Sequence, residues 1–140
     1  MTSQNENTGG CLCGSVRYVI AGALEPAGYC HCSDCRKFTG SAFSVTIPVA
    51  VKNFKVLSGT TKGFTQIADS GNALTRYFCT ACGSPIFGSS PQHPGRVSVT
   101  AGSFDDPTSI VPTHQGWLNA RVAGSQIPPN LPGSTKGRQG

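Results

Sequence analysis

The chain has 140 residues, 37% of them hydrophobic and 12% charged, with 18 glycines, 10 prolines and 7 cysteines. That length holds one core but not two, and the abundance of turn residues excludes a mainly helical chain. The net charge of +5 suggests an acidic partner, but the basic residues are scattered from Arg17 to Arg138, with Arg36 and Lys37 the only adjacent pair. Nucleic-acid binding would concentrate them and is not expected.

In chain order, residues 1–8 carry neither the basic start nor the apolar run of a secretory signal and read as a flexible end. A single β domain is expected over 9–127. It opens with "CLCG" and the strand-like "SVRYVI", then "CHCSDC", after which a turn or two of helix is predicted around Ser33 to Phe38. Alternating or β-branched runs follow in "FSVTIPV", "FKVLSG", "KGFTQIA", "LTRYFC", "PIFGSS" and "RVSVTAGSF", separated by glycine, proline or asparagine. Seven short strands predict an all-β fold of antiparallel hairpins in folded-over sheets. Residues 128–140, "PPNLPGSTKGRQG", read as a flexible tail. No segment approaches the ~18 apolar residues of a membrane span, so a cytoplasmic protein off the membrane is expected.

In that reducing compartment an odd number of cysteines does not make a disulfide framework. The pairs Cys11/Cys13 and Cys79/Cys82 and the triplet Cys30/Cys32/Cys35 have the spacing of soft-metal ligands, for which zinc is the first reading. An iron–sulfur cluster or a redox-active C-x-x-C are the alternatives, the latter without the βαβ pattern that would accompany it. Seven ligands divide naturally into a closed set of four and an open set of three. The triplet is compact enough to hold one ion unaided, leaving Cys11, Cys13, Cys79 and Cys82 for the closed site. Spacing alone also permits Cys30 and Cys32 to join Cys79 and Cys82. With seven thiolates and two zinc ions, the net charge falls to about +2.

The stretches "GGCLCGSVRY", "CHCSDCRKFTGSAF", "RYFCTACGSPIF" and "AGSFDDP" together resemble the glutathione-dependent formaldehyde-activating enzyme family, which also includes the domain of centromere protein V. The resemblance runs from residue 9 to about 118. It implies a zinc-bearing all-β fold, a structural ion on Cys11, Cys13, Cys79 and Cys82, and a more labile, substrate-side ion on Cys30, Cys32 and Cys35. It further implies a carbon–sulfur lyase joining formaldehyde reversibly to the glutathione thiol. One departure concerns the far wall of the pocket. Where the family runs into a Pro-Trp-Phe-like stretch, this chain has Gly124 and Ser125.

A three-thiolate zinc is anionic, and a substrate thiolate adds charge, so a nearby cation is needed. Arg36 is the expected one, or a grip for a substrate carboxylate, with Lys37 the lesser candidate. His114 is the expected proton-transfer group, in a segment that can fold over a pocket. His31 lies between two cysteines of an extended C-x-C, so its ring points away from the sulfurs, to a supporting contact or solvent. His93 and Asp34 read as turn residues. Thr39 and Ser41 read as turn caps or contacts to sulfur or substrate. Phe38, Phe43, Phe78 and Phe87 read as packing around the metals, Trp117 as core or pocket wall, and Gly14 and Gly83 as positive-φ positions. The competing reading is a non-catalytic zinc module that binds a protein through a sheet edge.

Overall fold

The computed structural model describes residues 6–125 and 131–136. Residues 1–5, 126–130 and 137–140, which include parts of both expected flexible ends and the last two residues of the expected domain, lie outside the described residues. Among the described residues, ten strands form two sheets. The smaller sheet joins β1 (Glu6–Gly10), β2 (Arg17–Ala21) and β5 (Phe54–Ser58), all antiparallel. The larger has the order β10-β3-β4-β9-β8-β7-β6. Its members are β3 (Ala27–Cys30), β4 (Ser44–Ala50), β6 (Thr61–Ile67), β7 (Ala73–Cys79), β8 (Pro85–Ser89), β9 (Arg96–Thr100) and β10 (Pro112–Gly116). Every pairing in it is antiparallel except β10 with β3.

The mainly β class is as the sequence predicts, and each of the seven expected strands is present. The structure adds β1, β3 and β10. Strand β1 corrects the expected start of order, because Glu6 to Gly10 pair residue by residue with Ala21 to Arg17. Backbone pairing makes this strand, and its polar side chains contribute little periodicity. At the other end, the expected tail is ordered at 131–136, where Gln115 N–H donates to the Pro132 carbonyl at 2.9 Å and Ser134 N–H to the Gln115 carbonyl at 3.2 Å.

Alternation in β2, β4 and β9 places Tyr18, Ile20, Ile47, Val49, Val97 and Val99 in one core shared by the two sheets. The Tyr18 and Phe54 rings lie 5.3 Å apart and Phe54 and Phe87 4.9 Å, joining the small sheet to β8. The opposite face of β9 carries Arg96, Ser98 and Thr100, which line a cavity. One short helix, α1 (Ser33–Thr39), lies against that face, where the helical turn was predicted. Cys32 is its N-cap, accepting from the Cys35 N–H, and Gly40 ends it at φ 72°. Among the described residues, no helix is long and apolar enough to cross a membrane.

Candidate metal centres and thiol cavity

The structure gathers the cysteines into two clusters, four and three, each with all its sulfurs within 4.8 Å of one another. This is the four-plus-three division; the alternative grouping of Cys30 and Cys32 with Cys79 and Cys82 is not formed.

The four-cysteine cluster joins the β1–β2 connection to the β7–β8 turn, and therefore the small sheet to the large one. Cys13 Sγ lies 3.5 Å from Cys11 Sγ and 3.9 Å from Cys79 Sγ, far beyond a disulfide bond of about 2.05 Å. The turns resemble each other. Gly14 and Gly83, at φ 84° and 80°, reverse the chain so that their N–H groups reach the carbonyls of Cys11 and Cys79. Val16 N–H donates to Cys11 Sγ at 3.2 Å and Ala81 N–H to Cys79 Sγ at 3.3 Å. Burial pushes the Cys11 thiol up, but the Val16 N–H and the Cys13, Ser15 and Cys79 side chains outweigh it and bring it to about 7. The Ser84 hydroxyl, then backbone N–H groups, lower Cys82 to about 5. Four sulfur donors so placed, with N–H groups directed at them, fit a soft tetrahedral ion such as zinc.

The three-cysteine cluster is built at the β3–α1 junction. Cys30 ends the strand, Cys32 caps the helix and Cys35 sits in its first turn. Cys35 N–H donates to Cys32 Sγ at 3.3 Å. The thiols of Cys30 and Cys32 hold Cys35 down to about 2 against burial, with Ser44 and Arg76 assisting, while Cys30 is pushed up by the same contacts. Donor type again fits zinc, with three of the usual four ligands supplied.

Cys30 and Cys35 form one end of a cavity of about 280 Å³ between α1 and the large sheet. Phe38, Leu74 and Trp117 give it apolar walls, and Ser44, Thr46 and Ser98 line it with hydroxyls. Trp117 holds φ 59°, a conformation bulky residues rarely adopt.

The cation at this end is Arg76, which the sequence reading did not single out. It is only 9% exposed, and its Nη2 points at Cys35 Sγ at 3.9 Å. Nη1 donates to Gln66 Oε1 at 3.4 Å, and Gln66 in turn donates to Asp34 Oδ1 at 3.3 Å, so Asp34 does more than shape a turn. The guanidinium carbon lies 5.8 Å from the Phe38 ring centroid. Arg36 is turned about 100° around the helix from Cys35. It is not among the residues lining the cavity, and its buried Nε has no hydrogen-bond partner among the described residues. The clue to Arg76 was a lone charge within the apolar strand run "LTRYFC", where every second side chain must face a partner or solvent.

His31 is fully buried and points away from the sulfurs, as the extended C-x-C predicts. Its Nε2 is 3.1 Å from Gln115 Oε1 on β10, which excludes the solvent-facing version of that reading. His114 pairs with Gly28 across the β10–β3 edge, and a Cβ on Gly28 would run into its ring. Gly28 lines the cavity, whereas His114 does not. His93, expected only as a turn residue, does line it. Thr39 lines it too, its hydroxyl donating to the Cys35 carbonyl at 2.7 Å. Gly124 and Ser125 are not among the lining residues.

Residues 6–120 match the glutathione-dependent formaldehyde-activating enzyme family. Proteins of Aspergillus flavus and Aspergillus oryzae, both named for this activity, are 31% identical over 117 residues, covering 81% of this chain. A Fusarium vanettenii protein named in the same way is 31% identical over 116 residues, also covering 81% of this chain. The chain spans 57 to 58% of the length of these relatives. A crystal structure of a Rhodobacter sphaeroides protein has the same fold, with a TM-score of 0.55 at 20% identity, covering 75% of this chain and 97% of that one. With the family match spanning all the described strands and all seven cysteines, the chain belongs to the glutathione-dependent formaldehyde-activating enzyme family.

Proposed function

We propose that the chain is a zinc-dependent enzyme of the carbon–sulfur lyase type. It joins a thiol of the glutathione kind reversibly to an aldehyde of the formaldehyde kind. The observation that carries this reading is the three-sulfur cluster at the end of a cavity with a buried arginine against it. A metal site that only braced the fold or a protein interface would need neither the cavity nor the buried cation.

In this proposal Cys30, Cys32 and Cys35 hold one zinc ion, and Cys11, Cys13, Cys79 and Cys82 hold the other. Zinc bound at the first site supplies Lewis acidity, which favours the thiolate form of a thiol and polarises a carbon–sulfur bond. Arg76 offsets the negative charge that thiolates bring to this end. Phe38, Leu74 and Trp117 limit water, and the hydroxyls of Ser44, Thr46 and Ser98 offer hydrogen bonds to the hydroxyl of the adduct. In the forward direction the carbon–sulfur bond forms at the aldehyde carbon, the carbonyl π bond opens, and the thiol proton ends on the aldehyde oxygen. His114, beside Gly28, and His93, in the lining, are the two imidazoles available to this proton. A single domain that includes β1 from Glu6 and the cytoplasmic setting belong to the same proposal.

Metal content is the first check. Protein purified under reducing, chelator-free conditions is expected to carry up to two zinc ions per chain, with the three-sulfur site losing its ion first to a chelator, because it supplies one fewer ligand. Iron, or no transition metal in fresh protein, would contradict this. The function is tested by NMR exchange spectroscopy on glutathione and formaldehyde mixtures. The zinc-loaded protein is expected to accelerate exchange between free and S-hydroxymethyl forms, with acceleration absent in Cys32→Ser and reduced in whichever of His93→Gln and His114→Gln removes the proton carrier. A rate at the uncatalysed background across several thiols would overturn the lyase reading in favour of the non-catalytic module.

A further inference from the structure

We propose that the cavity selects thiols carrying a carboxylate remote from the sulfur, and that Arg96 is the residue that binds that carboxylate. This rests on reading the three-cysteine end as the thiol site.

None of the residues lining the cavity is acidic, yet two of them are arginines. Arg76 is committed to Cys35 and Gln66. Arg96 is not committed. Its guanidinium has no hydrogen bond, ion pair or ring contact among the described residues. A cation facing a partly enclosed, hydroxyl-lined space with no protein counter-charge is a preformed anion site, and the planar fork of arginine suits a carboxylate.

The backbone fixes where Arg96 stands. It opens β9 opposite Ala50, and its N–H donates to the His93 carbonyl at 3.2 Å. The preceding turn is held by His93 N–H to the Ser90 carbonyl at 3.0 Å and by the Ser90 hydroxyl to the Ala73 carbonyl at 2.8 Å. Register then sets the span between the two arginines. Arg76 lies opposite Gly88, Gly88 opposite Ser98, and Arg96 is two residues before Ser98 on the same face. Strand spacing and rise place the two arginine Cα atoms about 12 Å apart. The floor between them is a glycine and a serine, so little side-chain bulk stands between the sulfur end and the Arg96 end. A thiol with its carboxylate several bonds away spans this distance; a one- or two-carbon thiol acid does not.

The test uses the zinc-loaded protein and calorimetric titration with glutathione, its diethyl ester and S-methylglutathione. Esterifying the carboxylates is expected to weaken binding to the unaltered protein about tenfold to a hundredfold, the worth of a charge-assisted bidentate contact. Arg96→Ala is expected to lose a similar factor for glutathione and to bind acid and ester alike. Arg96→Lys should recover part of the loss, and Lys55→Ala, on the other sheet, should lose none. S-Methylglutathione separates this proposal from the lyase reading. If it binds in an Arg96-dependent way while no exchange occurs, the carboxylate site stands and the lyase reading falls. If exchange occurs but ester and acid bind equally well, the carboxylate site is overturned and the lyase reading stands.

Discussion

Cys79→Ser is expected to leave the chain without a stable fold at ordinary temperatures. Cys79 is 1% exposed and ends β7, where its sulfur lies 3.9 Å from Cys13 Sγ and accepts the Ala81 N–H. A serine hydroxyl there is shorter and does not ionise near neutrality, so the proposed zinc loses one of four ligands and the two sheets lose their link. Binding free energy at such sites is folding free energy, on the order of 10 kcal/mol. Domains of this size have only about 5–15 kcal/mol in total, so even a partial loss is decisive. Cys32→Ser, in the half-exposed cluster, should lose one zinc equivalent and melt within a few degrees of the unaltered protein. Thermal melts with metal analysis on both variants check this, and the reverse order of damage would show that the roles of the two clusters are exchanged.

Arg76→Met is expected to cripple the three-sulfur site without costing the fold. Methionine keeps much of the aliphatic stem and removes the charge. Removing one partner of a buried pair leaves the other uncompensated; here that partner is the Cys35 sulfur, which can take up a proton, so the loss falls on the site rather than on the fold. A guanidinium about 4 Å from a thiolate is worth up to about 4 kcal/mol at an effective dielectric constant of about 20. Half of that already exceeds tenfold in an equilibrium constant. Zinc retention against a chelator and the thiolate absorbance of the metal-free protein should both fall, and Arg76→Lys should restore part of each. Retention and absorbance unchanged in Arg76→Met would make Arg76 a packing residue.

The cysteine clusters were legible in the sequence because ligand chemistry is local. C-x-C and C-x-x-C followed by glycine specify a turn and the direction of its sulfurs within a few residues, whereas spacing left two groupings open and the structure forms the one that keeps the compact triplet together. The helical turn around Ser33 to Phe38 was legible too, and the structure adds its N-cap at Cys32 and its end at Gly40. Strands β1, β3 and β10 were not. "ENTGG", "AGYC" and "PTHQG" carry no apolar alternation, and their order comes from partners far away in the chain. The cavity was hidden by the same distance effect. Arg76, His93 and Arg96 meet it only because β7, β8 and β9 pair in register. Arg36, next to a ligand in sequence, is directed elsewhere by the helical turn.

The link between the sheets also bears on how the chain acquires its shape. Cys13 and Cys79 are 66 residues apart, and neither turn alone supplies more than two of the four sulfurs. Each hairpin can form from its own neighbours within microseconds, but bringing the two turns together requires closing a long loop. In the proposed zinc-bound protein, capture of the ion at four sulfurs is therefore expected to coincide with docking of the small sheet onto the large one. Its rate depends on free metal as well as on chain diffusion, and until it happens the thiols that later brace the fold are open to oxidation.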